Sequence, residues 1–261
     1  MKKFELTNKV VRNCRKKLYR IRALKDFGDV RAGELGGYLE NESNLSQDGA
    51  AWVYDEACVC DNAKVLGNAV VKGNACVCGY AKITDDAYIS GNACIADDAG
   101  VYDDAYVVGN ASVGDNAKIF DKAFICGDAW VTNNATIHGE AKIYDNAKIA
   151  GDAIIRDSVE VYGDADVYGN VRILGNAKIN GNADIRYNTD YIHISSFVFS
   201  DGYTDFMKSR NNTILVNCRW FEGDIEEFEK MLKEFSEKQA KAYMCAIKLA
   251  KAVIELYEDK K

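Results

Sequence analysis

The feature that most constrains this chain is a six-residue phrase that repeats without a gap. It begins at Ala51 with AWVYDE and ACVCDN and continues to ADIRYN at Asn188, which makes 23 consecutive hexads. The first position is Ala in 21 hexads and Val159 or Val171 in the others, and the third position is always Val or Ile. A helix cannot carry this pattern, because a period of six places successive Val and Ile residues on different helical faces.

Each hexad instead predicts a short strand followed by a corner. The first and third residues share one side of a strand, since side chains alternate with a period of two. The last two positions hold mainly Gly, Asp and Asn, which tolerate the backbone conformations of tight turns. Three hexads closing one turn would stack residue n on residue n+18, with parallel strands about 4.8 Å apart. The pattern therefore predicts a mainly β protein built on a parallel β-helix of about seven to eight coils.

The residues on either side of the hexads predict two further segments. A solenoid exposes unpaired strand edges at both ends, so we expect residues 1–50 to form an N-terminal cap of strands and a loop. The β-helix itself covers residues 51–188. Residues 189–261 predict a small α+β module. It has two or three antiparallel strands, joined at Asp201-Gly202 and Asn211-Asn212, followed by two amphipathic helices that start near Gly223 and Gln239.

The hexads resemble those of hexapeptide-repeat proteins, whose coil is a left-handed parallel β-helix. Two further stretches resemble bacteriophage and prophage members of that group, which are often labelled transferase-like from their repeats. These stretches are LYRIRALKDFGDVRAGELGGYLENESNLSQDGAAWVYDEA, from Leu18 to Ala57, and NNTILVNCRWFEGDIEEFEKMLKE, from Asn211 to Glu234. The resemblance implies a phage-encoded protein located in the host cytoplasm.

The resemblance implies the chemistry of hexapeptide acyltransferases. These enzymes use a histidine as general base and acetyl-CoA as acyl donor, so a catalytic site of this kind needs a suitable histidine. The chain has two histidines, His138 and His193. His138 stands at an outward position in the n+18 column of Tyr102, Phe120 and Arg156, with no carboxylate in that column. We interpret it as a surface residue that is also the one catalytic candidate in the coil. His193, in YIHISSF, is interpreted as structural.

The residue types argue against a metal site. Two histidines cannot supply the three ligands of a carbonic anhydrase of the γ class, which shares this coil. Cys58, Cys76 and Cys94 form an n+18 column, but thiols in a flat row do not match the tetrahedral coordination that zinc prefers. We therefore predict no metal, no cofactor outside the acyltransferase alternative, and free thiols in a reducing cytosol. No apolar leader or membrane span is predicted.

The outward columns of the coil are the predicted binding surface, because stacked aromatic side chains leave apolar strips exposed. The C-terminal module adds two aromatic residues to the candidates. The full set of candidate residues is Tyr88, Tyr106, Phe124, Tyr102, Phe120, Arg156, Tyr144, Tyr162, Trp220 and Phe221.

Our main functional hypothesis from the sequence is a non-enzymatic phage protein that inhibits or sequesters a host protein, including one of anti-phage defence. One alternative is an acetyl-CoA-dependent acyltransferase acting as a trimer. Another is an acidic DNA mimic or a structural assembly protein. A net charge of −7 and acids at the coil corners argue against direct binding of nucleic acid. A dimer or trimer is compatible with each hypothesis.

Overall fold

The computed structural model describes residues 2–13, 16–195 and 202–255. The chain begins with three strands, β1 (Phe4–Asn13), β2 (Lys16–Ala23) and β3 (Leu35–Leu39), and a short 3-10 helix at Glu42–Asn44. β1 and β2 form an antiparallel hairpin, and β3 pairs in parallel with the first coil at Cys58. This arrangement covers one end of the repeat region, as a solenoid edge requires.

Every hexad then supplies a two-residue strand, from β4 to β26, and these strands stack on three faces in a parallel β-solenoid of about eight turns. The first face holds β4 (Trp52–Val53), β7 (Val70–Val71), β10 (Tyr88–Ile89), β13 (Tyr106–Val107), β16 (Phe124–Ile125), β19 (Lys142–Ile143), β22 (Glu160–Val161) and β25 (Lys178–Ile179). The second face holds β5 (Cys58–Val59), β8 (Cys76–Val77), β11 (Cys94–Ile95), β14 (Ser112–Val113), β17 (Trp130–Val131), β20 (Lys148–Ile149), β23 (Asp166–Val167) and β26 (Asp184–Ile185). The third face holds β6 (Lys64–Val65), β9 (Lys82–Ile83), β12 (Gly100–Val101), β15 (Lys118–Ile119), β18 (Thr136–Ile137), β21 (Ile154–Ile155) and β24 (Arg172–Ile173).

The stacking register is n+18 throughout, as the hexads predict. Tyr88 pairs with Tyr106, and the Tyr88 amide donates to the Ala105 carbonyl at 2.9 Å. The Ala at the first position and the Val or Ile at the third are buried in every coil. Because these residues line one axis, the solenoid core is a single continuous column of small and β-branched side chains.

The geometry of the corners explains why the fifth position of the hexad holds Gly, Asp or Asn. These residues take a left-handed backbone, with φ of 53° at Asp103 and 73° at Gly91. An Asp at this position adds a contact between coils, since Asp103 Oδ2 accepts the Asp121 amide at 3.2 Å. The corner residues are thus explained by turn geometry and by hydrogen bonding to the next coil.

Gly36 and Gly37 lie inside β3, where the chain crosses close to the first coil. A Cβ at Gly36 would come within 2.5 Å of the Val53 carbonyl oxygen, and one at Gly37 would collide with the Ala57 carbonyl. The two glycines therefore allow β3 to extend the second face of the solenoid.

The C-terminal module has four antiparallel strands, β27 (Tyr191–Ser195), β28 (Tyr203–Lys208), β29 (Ile214–Cys218) and β30 (Phe221–Asp224). The prediction of two or three strands was one short, because β30 follows β29 after only two residues. Asn212, in the predicted turn, has φ of 57°. The other predicted turn falls partly on Asp201, outside the described residues.

Two helices close the module. α1 (Ile225–Met231) begins after Asp224, whose side chain accepts the Glu227 amide at 2.8 Å as an N-cap. It ends in a 3-10 turn at Leu232–Glu234, and α2 (Glu237–Glu255) follows. Buried side chains of both helices pack on the sheet to form a second, smaller core. Within the described ranges, no helix combines the length and apolarity that crossing a membrane requires.

Candidate active site

A histidine and a buried carboxylate face each other across β27 and β28. His193 is directly opposite Asp205 in this antiparallel pair, and side chains at opposed positions lie on the same face of a sheet. His193 Nδ1 is 2.7 Å from Asp205 Oδ1. The Asp205 side chain is fully buried, whereas 19% of the His193 side chain is exposed. The carboxylate therefore fixes the imidazole while part of the ring stays open to solvent.

Asp205 is held by further donors. The Tyr191 hydroxyl donates to Oδ1 at 3.0 Å, and the Lys178 backbone amide donates to Oδ2 at 2.9 Å. Burial raises the pKa of Asp205, and the hydrogen bonds from His193, the Lys178 amide and Tyr191 act in the opposite direction. Burial, together with Asp205, also raises the pKa of Tyr191, so its hydroxyl remains a donor. Both carboxylate oxygens are satisfied, which makes the group a rigid support for the ring.

The surroundings of His193 contain a phenol and an ammonium group. The Tyr203 ring stacks on the imidazole at a centroid distance of 6.2 Å. Lys178 Nζ pairs with Glu160 Oε2 at 2.9 Å, and this hydrogen bond raises the pKa of Lys178 to about 12. Tyr203 also interacts with Lys178, although burial is the main cause of its raised pKa. The site therefore lies where the first face of the solenoid meets the C-terminal sheet.

His138 has a carboxylate neighbour that its own column did not predict. Its Nδ1 lies 3.3 Å from Asp121 Oδ2, a corner residue one coil earlier, and its ring stacks on Phe120 at 4.7 Å. The same Asp121 oxygen accepts the Gly139 amide at 3.0 Å. About half of the Asp121 side chain is exposed. This pair is longer and more solvated than the His193 pair, so it is the poorer candidate for a general base.

The predicted aromatic ladders on the first face are present as ring contacts. Tyr88 and Tyr106 have centroids 5.2 Å apart, and Tyr106 and Phe124 are 6.3 Å apart. Tyr144 and Tyr162 stack in parallel at 5.0 Å. Each contact joins successive coils, so the rings support one another as well as facing outward.

The predicted column of Tyr102, Phe120, His138 and Arg156 is interrupted at both ends. The Tyr102 ring turns aside and lies over Gly100, which has no side chain to block it. A Cβ at Gly100 would collide with the ring. Arg156 Nε instead lies 3.7 Å from Asp157 Oδ2, a carboxylate that attracts the guanidinium to the corner. Stacking in this column is therefore limited to Phe120 and His138.

Trp220 and Phe221 contribute to packing as well as to the surface. Trp220 is 45% exposed, but its ring contacts Phe228, Phe235 and Tyr243. Phe221 lies 5.1 Å from Phe228, between centroids. Both rings therefore pack against aromatic side chains of the helices, and their role as binding residues stays a prediction.

The cysteine column is buried at Cys58 and only partly buried at Cys76 and Cys94. Cys58, Cys76 and Cys94 pair in register, and Leu18 of β2 packs over the first of them. Hydrogen bonds with neighbouring thiols lower the pKa of Cys60 and raise that of Cys76. Among the described residues, no group of His, Cys, Asp and Glu has a geometry that could hold a metal ion.

The His193 pair was missed by reading the sequence, although a signal exists. The segment YIHIS alternates with a period of two, which places His193 on a defined face of its strand, and Asp205 lies in the next predicted strand, YTDFM. Their partnership depends on strand register, which follows from the connection between the strands. A histidine and an aspartate on adjacent predicted strands would have been the pattern to test.

The fold and the site define a hexapeptide-repeat β-solenoid with a histidine–carboxylate pair in its C-terminal module. Residues 123–139 match the family of YdcK β-solenoid repeats. The chain is also 43% identical over 56 residues to a protein of Escherichia coli (strain K12) named uncharacterized acetyltransferase YdcK. That alignment covers 22% of this chain and 16% of the relative's length.

A solved structure gives a looser comparison. It is a Bacillus cereus protein, determined by X-ray crystallography and provisionally described as an acetyltransferase, and the alignment covers 86% of this chain and 93% of that one. The sequence identity is 9% and the TM-score is 0.23, values too low to carry an argument about fold or function. None of these comparisons gives a sign of phage origin.

Proposed function

We propose that this protein is an acyltransferase that moves an acyl group from acetyl-CoA, or a similar thioester, to a hydroxyl or amine. The observation that carries the proposal is the 2.7 Å contact between His193 Nδ1 and the buried Asp205. A carboxylate at Nδ1 selects the tautomer whose Nε2 can accept a proton, and it stabilises the imidazolium that results. A relative that is 43% identical over 56 residues carries the name acetyltransferase.

The chemistry assigns one role to each group. His193 Nε2 takes the proton of the acceptor hydroxyl or amine as the acceptor attacks the thioester carbonyl. The tetrahedral intermediate then collapses, the C–S bond breaks, and the imidazolium returns its proton to the leaving thiolate. Donors near the ring stabilise the negative oxygen of the intermediate. Tyr203, whose ring stacks on His193, and Lys178, which interacts with Tyr203, are the candidates for this role.

Turnover by histidine variants tests the proposal. The purified chain is incubated with acetyl-CoA and a panel of sugar, amine and amino-acid acceptors, and acetylated products are quantified by mass spectrometry. We expect His193→Ala to lower the rate by about 10²- to 10⁴-fold, the range of general-base catalysis. His138→Ala is the matched control and should retain the wild-type rate. No transfer by the wild type, or equal rates in wild type and His193→Ala, would contradict the proposal.

The hypothesis of a non-enzymatic binding protein stays a prediction and has less support than the acyltransferase hypothesis. A phage origin and the capture of a host protein rest on a resemblance in the sequence, which the comparisons do not reinforce. The DNA-mimic alternative is weakened by the corners, where Asp85, Asp97 and Asp103 already take a left-handed backbone and accept an amide hydrogen bond from the next coil. A cytoplasmic location and a dimeric or trimeric state remain proposals.

A further inference from the structure

A groove on the second face lies outside the candidate active site. It spans the successive coils of Trp130, Lys148 and Asp166, which stack in register. Its volume is about 330 Å³, and Ala150 and Gly151 leave room at its floor. Concave sites of a few hundred Å³ suit small ligands. We call this depression the Trp130 groove.

Trp130 forms one wall and is unusually open for its type. It is 52% exposed, and among the described aromatic residues none has a ring contact with it. Its position in β17 fixes the backbone, so a flat indole is presented at little entropic cost. The negative face of an indole attracts polarised C–H bonds and aromatic edges.

The opposite wall is held in place by the C-terminal end of the chain. Arg186 lies over the Tyr168 ring at 4.9 Å, and burial and a hydrogen bond with Asp184 raise the pKa of Tyr168 to about 12. Arg210 Nη2 pairs with Asp166 Oδ2 at 2.8 Å. The second oxygen, Asp166 Oδ1, is shielded from solvent and accepts no hydrogen bond from any described residue. A ligand in the groove therefore reaches Asp166 through the rest of its side chain, which is 24% exposed.

Lys148 lies between these two walls. Its side chain is exposed, and within the described part of the chain it makes no ion pair at 4 Å or less. The groove thus presents an aromatic plane, an unpaired ammonium and a fixed carboxylate, spaced about 5 Å apart along three coils.

We propose that the Trp130 groove binds a pyranose sugar with an acidic substituent. One face of the sugar ring stacks on Trp130, the acidic group pairs with Lys148, and a ring hydroxyl donates to Asp166. A nucleotide would also stack its base on Trp130 and pair its phosphate with Lys148, so adenosine monophosphate is the competing ligand in the test. The proposal is independent of the proposed acyl transfer, because the groove lies on a different face from His193.

Binding of two sugars that differ only in charge tests the proposal. Methyl β-glucuronoside and methyl β-glucoside are titrated into the full chain, and binding is followed by tryptophan fluorescence and saturation-transfer NMR. We expect the acidic sugar to bind more tightly than the neutral one. Trp130→Ala should weaken both by about tenfold, and Lys148→Gln should weaken the acidic sugar alone by a similar factor.

Matched variants elsewhere on the coil serve as controls. Lys118→Gln removes an exposed lysine of the third face, and Tyr80→Ala removes an exposed ring at a corner three coils before Trp130. Both should bind the acidic sugar as the wild type does, and circular dichroism confirms that all four variants are folded. The proposal is overturned if neither sugar binds the wild type, if Trp130→Ala retains full binding, or if adenosine monophosphate competes with the acidic sugar at equal or lower concentration.

Discussion

Gly91 and Gly109 occupy the same corner in successive coils, so close that a Cβ on Gly91 would lie 2.7 Å from the Gly109 carbonyl oxygen. Both residues have a left-handed backbone, with φ of 73° and 75°. Gly175 has a similar φ of 82°, but nothing lies within 4 Å of its Cβ position. An alanine at Gly175 therefore meets backbone strain alone, whereas an alanine at Gly91 meets both backbone strain and a clash with the next coil.

We predict that Gly91→Ala destabilises the protein more than Gly175→Ala does. Gly175→Ala should cost about 1–2 kcal/mol, the penalty for a left-handed non-glycine residue. Gly91→Ala adds the collision with the next coil and should cost a further 1–3 kcal/mol or so, as overpacking does. The midpoint of urea unfolding, followed by circular dichroism, measures both. Equal shifts in the two variants would show that the coils separate freely at this corner.

We predict that Asp205→Asn lowers the rate of acyl transfer by about 10²-fold or more. The amide keeps the size of the carboxylate but cannot stabilise the imidazolium, and it can favour the wrong tautomer of His193. Tyr191→Phe is the control, since it removes one donor to Asp205 and leaves the carboxylate in place. Its rate should fall much less. The ratio of kcat between the two variants is the measurement, and similar losses would argue for a purely structural role of the cluster.

We predict that Ile137→Ala costs about 2–5 kcal/mol, whereas Thr136→Ala costs about 0.5 kcal/mol or less. The two residues form β18, but Ile137 is fully buried on the solenoid axis and Thr136 points outward. Removing three carbons from a closed column leaves a cavity that the rigid coils cannot fill. Denaturant midpoints of the two variants provide the comparison. A small effect of Ile137→Ala would mean that neighbouring coils collapse into the space.

We predict that Lys3 makes a contribution to stability that increases with pH between about 8 and 9.5. Burial lowers the pKa of this lysine from 10.5 to about 8, while its Nζ donates to the Ala51 carbonyl at 2.9 Å. Asp48 raises the pKa and Lys25 lowers it further. Above pH 8 the unfolded chain holds this proton more strongly than the folded one, so unfolding becomes less favourable as pH rises, by at most about 1.4 kcal/mol per pH unit.

The control for this prediction is Lys3→Met, which keeps an apolar stem of similar length. Its stability should lack the increase between pH 8 and 9.5. The free energy of unfolding of both proteins is compared across this window, below the pH at which tyrosines titrate. Parallel curves for the two proteins would assign the pH dependence to other groups.

Much of the fold was predictable because the repeat fixes each residue's environment. Val53, Ile119 and Ile185 occupy the same position in three hexads, and the structure buries all three on one axis. The left-handed corners at Gly91 and Asp103 follow from residue type in the same way. The candidate site was harder to predict from the sequence, because His193 and Asp205 are twelve residues apart and belong to no repeat.

The sequence by itself determined the solenoid: a period of six with Ala and Val or Ile at fixed positions allows only strands that stack at n+18, because local geometry and burial agree in every coil. Only the tertiary structure decided which side chains meet outside that rule. The contact of Arg210 with Asp166, like that of His193 with Asp205, depends on how the C-terminal sheet docks and on strand register. Such contacts join distant segments through packing, and no short pattern in the chain encodes them.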